Sequence, residues 1–477
     1  MQVDRAGRGD PAQRACHLLW LLWLIGLGLL LSATARAAEP QPGAAAKAVG
    51  EVIFVEGIAS AQLPGATPRF LQKGEPLFEG ETVSTGAQGF AIIGFTDGTK
   101  FTLRPNTSFQ IDRFRHGGGT DSAIFRLLKG GMRAVTGLIS KRDPKAMEVN
   151  AVTATIGIRG TSFDARICAE DCAEEQRRSG RKPPQPRPDL VVARAAVVVG
   201  SAQAVGASGA SRQLVEGSAL FTGDTVRTSK ASQVLIAFRD RSKVTVIADS
   251  EFKLEDVNFS PKGETGNFAV RILRGGVRAV TGLLGKNNPK AVNFNITTVV
   301  IGIRGSAFDT YAGQVCVADG KCGEGVGTTV RSDGINMTAG DQTIPLDANE
   351  SGAFLGGQLS RVDTAQLVFP QPDAMIPENQ QVDFEALFRT VELDRLVPGL
   401  YAGILDGDGE IVVSTAQNAV HLAGNQGAVV YPDTNVVERI EPNWAAEVNR
   451  DLSNPATFVD PTQRTLLKQE SVICVIR

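Results

Sequence analysis

The sequence predicts an all-β protein: two tandem β-sandwich or roll domains, then a small β-rich C-terminal region with one short helix. Three observations lead there. A 39-residue block occurs twice, at 126–164 and 271–309, with 23 of 39 positions identical and 145 residues separating Gly130 from Gly275. That period is a whole domain, too long for a solenoid unit. Short alternating apolar segments, such as KFTL at 100–103, recur between Gly, Asp-Gly and Pro-Asn turns. Alternation of this kind gives a strand one buried and one wet face. No helical period stands out before Arg126.

Residues 1–38 read as an address and not as part of the fold. Arg5, Arg8 and Arg14 precede an apolar run at 18–31, and Ala35-Arg36-Ala37 supplies a small-x-small cleavage signal at Ala35 and Ala37. The run has 14 residues, short of the roughly 20 a membrane helix needs. It is read as a secretory signal peptide; the competing reading is an uncleaved anchor. Removing 1–38 takes four Arg and two Asp from 49 basic and 51 acidic side chains, leaving 45 and 49, a net charge near −4. That balance excludes a basic nucleic-acid face and a polybasic membrane patch.

The first domain is placed at 49–172. It opens with GEVIFVEG and continues as a meander of short strands, with Asp97-Gly98 marking a hairpin. Residues 173–189 are charged and proline-rich and are read as a solvated linker. The second domain, 190–356, repeats the grammar: Gly80-Glu81-Thr82-Val83 becomes Gly223-Asp224-Thr225-Val226, and Asp97-Gly98 becomes Asp240-Arg241. Residues 357–396 are a linker ending in a short helix with Phe384, Leu387, Phe388 and Val391 on one face. The last region, 397–477, is β-rich. Its segment 402–430 echoes the hairpin and closing strand that begin at Gly325.

The repeated block carries the candidate site residues. In GGxRAVTG, Arg133 and Arg278 sit between glycines that supply positive φ or a close backbone approach. In GIRG, Arg159 and Arg304 mark a bulge and point to a contact, either a structural pair with Asp164 or Asp309 or a bidentate grip on a partner's anion. Cys168 with Cys172, and Cys316 with Cys322, occupy equivalent places. An oxidising compartment makes each pair a local disulfide. Metal is the rival, yet two thiolates alone do not close a zinc site. Cys474 is left over. Catalytic constellations are missing: His116 and His421 read as surface residues, and Asp406, Asp408 and Glu410 as a hairpin turn instead of a calcium loop. Aromatic platforms for sugars are few, at Tyr311, Tyr401, Tyr431 and Trp444.

The order VGEVIFVEG, GETVSTG, FTDGTKFTLRPNTSF, LLKGGMRAVTG, TATIGIRGTSF resembles the FecR domain family over 49–172, and again over 191–311. The resemblance implies an all-β, exported, non-enzymatic interaction module with no catalytic residues and no cofactor. Family regulators place an anti-sigma segment before one membrane helix. The 17 residues ahead of the apolar run here are too few for one. The expected function is a binding or scaffold role in the periplasm of a Gram-negative cell, on envelope proteins or on an anionic polysaccharide or peptidoglycan, without nucleic acid. The alternative is a membrane-anchored periplasmic signalling protein related to iron-transport regulators.

Overall fold

The computed structural model describes residues 47–458, apart from 161, 181, 183, 186–189, 318–319, 371–374, 407–408, 453–454 and 456. The signal-peptide reading with Ala35 and Ala37, and the leftover Cys474, lie outside the described residues. Strands dominate, and the α-helices among the described residues are one to three turns long. No helix among them is long and apolar enough to cross a membrane.

Each repeat builds two sheets around one core, and the glycines of the repeated block make this possible. In the second copy a single strand, Gly266–Val280, runs through both sheets. It turns the corner at Gly275, where φ is +76°. In the first copy the corner falls at Gly130, φ +79°, and the strand is split into Ser122–Lys129 and Gly131–Val135. A Cβ at Gly130 would lie 2.7 Å from the Asn106 carbonyl oxygen and the Thr107 Cα, so a side chain is excluded as well as strained. The other bounding glycines act differently. Gly137 and Gly282 precede one-turn helices, Leu138–Arg142 and Leu283–Asn287, which the turn reading had not foreseen. The Asp97 and Asp240 hairpins cap them: Leu138 N donates to the Asp97 carbonyl at 2.9 Å and Leu283 N to that of Asp240 at 2.7 Å. The hairpin survives the loss of glycine because Arg241 takes the same left-handed conformation, φ +68°, as Gly98, φ +89°.

Alternation then fills the interior. Phe101, Phe109, Phe125 and Phe163 are fully buried in the first core, and Phe238, Phe252, Phe268 and Phe294 in the second. The Asp383–Leu396 helix is shorter than its pattern: Asp383 caps Phe384–Phe388, accepting from Ala386 N at 2.9 Å, while Val391 lies in a strand. A helix also stands where a solvated linker was expected. Glu170–Ser179 covers the start of 173–189 because Arg166, only 2 % exposed, binds Glu175 at 2.7 Å and Asp171 at 3.3 Å on its inner face.

The closing strands hold the main topological finding. In the second copy the chain turns straight back at Cys316–Cys322, and Cys322–Ser332, Gly334–Ala339, Gln342–Asp347 and Ser351–Leu355 complete both sheets. In the first copy the strand Ser162–Cys168 has no such neighbour nearby in sequence. Its partner is Gly399–Asp406, with Cys168 opposite Gly399. Ala154–Arg159 pairs with Glu410–Ser414, placing Arg159 opposite Glu410. Ala419–Ala423 and Gly427–Val430 then extend the same two sheets. Leu400, Ala402, Ile404, Ile411, Val413 and Leu422 belong to the first core. The segment from 397, read from the sequence as a region of its own, is thus hydrogen-bonded into the first sandwich. The second sandwich is nested between two parts of the first. Trp444 seals the outer face, fully buried, with Nε1 donating to the Leu393 carbonyl at 2.6 Å.

Candidate functional site

The duplicated arginines fall into three environments. Arg133 stands opposite Asp164 in the strand register. Its guanidinium grips that carboxylate with two bonds, Nε to Oδ1 and Nη2 to Oδ2, each 2.9 Å. Nη2 also donates to the Asn449 carbonyl at 3.1 Å, and Nη1 to that of Leu452. Asp164 is fully buried, and burial pushes its carboxyl up to about 7 while Arg133 pulls the other way. Arg278 pairs with Asp309 by charge alone, its Nε 2.7 Å from Oδ1 without hydrogen-bond geometry, and the hydrogen bonds come from Arg331, whose Nε and Nη2 grip Oδ2 at 2.8 and 2.5 Å. Burial raises Asp309 as well, against Arg278 and Arg331. The partners of Asp164 and Asp309 are therefore Arg133 and Arg278, not Arg159 and Arg304. The reason is register: on the facing strand, Arg133 and Arg278 lie directly opposite the aspartates.

Arg159 sits where the two sandwiches meet. Its Nη1 donates to Ser218 Oγ of the second sandwich at 3.2 Å and lies 3.5 Å from Glu410 of the first. Glu410 is 2 % exposed, and its carboxylate accepts the Ala219 backbone N–H across the junction. Arg194, fully buried, bonds the Gly217 carbonyl at 2.8 Å and Gln426 at 2.9 Å. His421 packs its ring against Gly217, where an added Cβ would come within 2.6 Å of Cδ2. The residue is half-buried, with Nδ1 shut off from solvent and without a hydrogen-bond partner, contrary to its surface reading. Burial first, then Arg194, Arg159 and Arg439, lower its pKa to about 3 and keep it neutral. Arg304 is the third environment: 44 % exposed, paired at 2.6 Å with a still more open Asp347. No bulge accompanies GIRG; the pairing runs through Gly157 and Gly302 without a register shift.

Both cysteine pairs are disulfides, Cys168–Cys172 and Cys316–Cys322. His116 is held by Asp121 at 3.2 Å. Among the described residues no cluster of three or more His, Cys, Asp or Glu side chains could hold a metal ion. The sequence reading missed Glu410, Arg194, Gln426 and His421 as junction residues. One signal was present: aligning the two echoing hairpins sets Glu410 against Gly334, a buried charge in one copy only.

An all-β protein of paired sandwiches, with its duplicated charges consumed in fixed ion pairs, is the class these features define. Residues 81–175 and 224–323 match the family described as FecR protein, and the chain carries two FecR domains. A search of curated proteins finds no match. Among solved structures, a candidate anti-sigma factor from Parabacteroides distasonis ATCC 8503 is similar at 12 % identity and TM-score 0.23, covering 29 % of this chain and 59 % of that one. A second structure of a candidate anti-sigma factor from that strain is similar at 11 % identity, TM-score 0.22 and the same coverages. A cell surface anchoring domain is 34 % identical over 13 % of this chain and 82 % of its own length, with TM-score 0.13. The chain thus spans about three fifths of the first of these proteins.

Proposed function

We propose that this chain is an exported, non-enzymatic binding and scaffold protein of the Gram-negative cell envelope, acting on envelope proteins through its surfaces. The observation that carries this reading is the use made of its repeated charges. Asp164 and Asp309, each at most 1 % exposed, are spent on Arg133, Arg278 and Arg331. Such buried ion pairs, bidentate for Arg133 and Asp164, fix strands together and are closed off from a substrate. Export to an oxidising compartment is supported by the two disulfides. Periplasmic placement and cleavage after the leader are tested together by N-terminal sequencing of the fractionated protein. Crosslinking in intact envelopes followed by mass spectrometry tests the partner class. Recovery of specific envelope proteins supports the reading; retention on purified peptidoglycan or anionic polysaccharide alone redirects it to glycan. An uncleaved leader with crosslinks to an inner-membrane signalling protein replaces it with the sensor role that the FecR resemblance implies.

A further inference from the structure

The junction inside the chain joins two copies of one domain head to tail, so each copy still owns the end that the other uses. The second copy contributes the turn Gly217-Ser218-Ala219, all three buried. Strand pairing makes Gly74-Glu75-Pro76 its counterpart, since Gly50 faces Leu77 as Ala193 faces Leu220. In the first copy that turn is open to solvent: Gly74 and Pro76 are exposed, and the Glu75 side chain is 44 % exposed although it pairs with Arg69 at 3.2 Å. At the opposite end, Ile158 faces Ile411 as Ile303 faces Ile335, which aligns Arg159 with Arg304 and Glu410 with Gly334. Arg304 is open where Arg159 is covered.

We propose that a second copy of this chain docks its Gly74–Pro76 turn on the Arg304 end, repeating the internal junction between molecules. The chemistry changes in a matched way. The Arg159–Ser218 bond becomes Arg304 facing Glu75, a guanidinium on a carboxylate. The Glu410 bond to the Ala219 N–H vanishes on both sides at once, because Gly334 carries no carboxylate and Pro76 carries no N–H. No polar group is orphaned by the exchange. Register places Glu51 and Glu350 where Arg194 and Gln426 meet inside the chain; Glu350 is paired with Arg361 at 2.8 Å, and the loss of the Arg194–Gln426 bond keeps the contact weaker than its internal model. A head-to-tail contact uses different patches on the two partners and leaves one of each free, so it adds further subunits into rows or rings.

Sedimentation velocity over a concentration series tests this with the exported full chain, in a Cys474→Ser background that removes adventitious crosslinking. Wild type is expected to associate reversibly with concentration. Glu75→Arg and Arg304→Glu should each weaken association about tenfold, and the double exchange should restore it. Both side chains are half-exposed, and an unchanged melting curve confirms that the variants fold. A chain monomeric at every concentration overturns the proposal. So does association that ignores the single reversals, or a double exchange no better than either single. A monomer whose Arg304 end crosslinks to a different envelope protein also overturns it, while leaving the scaffold reading intact.

Discussion

His421 gives the junction a measurable acid sensitivity. In the folded chain its pKa is lowered to about 3, whereas an exposed histidine titrates near 6.5. As pH falls through about 6.5 the unfolded chain takes up a proton that the folded chain refuses. Stability is therefore lost toward acid, with the window running from about 6.5 down to about 3. At pH 5 the unfolded residue is almost fully charged, which works out to a loss of about 2 kcal/mol relative to neutral pH. That figure does not depend on the folded value so long as it stays well below 5. Asp164 acts the other way: its raised carboxyl is protonated in the folded state first, so acid stabilises it between about 4 and about 7. The two nearly cancel in wild type, and a variant is needed to separate them. His421→Gln removes only the histidine component; Arg194, Arg159, Arg439 and Glu410 around it stay the same in both proteins. Urea denaturation of wild type and His421→Gln at pH 7.5 and pH 5 reads the difference. The variant should gain about 2 kcal/mol on wild type between those two conditions. A difference that stays constant within about 0.5 kcal/mol would refute a His421 held neutral at the junction.

The remaining expectations concern the pairs and bridges. Arg133→Ala leaves Asp164 buried without its partner and should cost about 3–5 kcal/mol in denaturant midpoint experiments. Arg304→Ala removes an exposed pair and should cost less than about 1 kcal/mol. Similar losses for the two would mean that burial is not what distinguishes these two ion pairs. Replacing Cys168 and Cys172 with Ser opens a loop of only a few residues and should cost about 2 kcal/mol on the chain-entropy estimate. Mass analysis with and without reductant in alkylating conditions should add four labels on reduction, two per bridge, to whatever Cys474 contributes.

Much of the fold was legible because it is written locally. Alternation in KFTL, the Asp97-Gly98 hairpin and the duplicated glycines each act within a few residues, and the structure uses Gly130 and Gly275 for the backbone freedom that only glycine supplies. The helix Glu170–Ser179 was not legible. Its charged, mixed composition has no apolar face, and it is held by the buried Arg166, whose depth depends on tertiary packing. The closing strands were half legible: the echo between the hairpin after Gly325 and the segment at 402–430 was visible, but pairing partners were not. Nothing in the residues around Cys168 says that its neighbour is Gly399 instead of the next segment, since a strand specifies its faces locally and its partner only through the assembled core. The site arginines failed for the same reason. Asp164 lay within reach of either Arg133 or Arg159 on the page, and only the register decided between them.

Nesting of one FecR sandwich inside the other is the claim on which the rest stands, and a chain ended after residue 390 tests it most directly. Such a chain keeps the complete second sandwich but takes Gly399–Asp406, Glu410–Ser414 and the core residues Leu400, Ile404, Ile411 and Val413 away from the first. Circular-dichroism-detected denaturation should show the second sandwich unfolding cooperatively while 47–168 has no transition of its own. Two intact transitions, with the first sandwich as stable as in the full chain, would contradict the account.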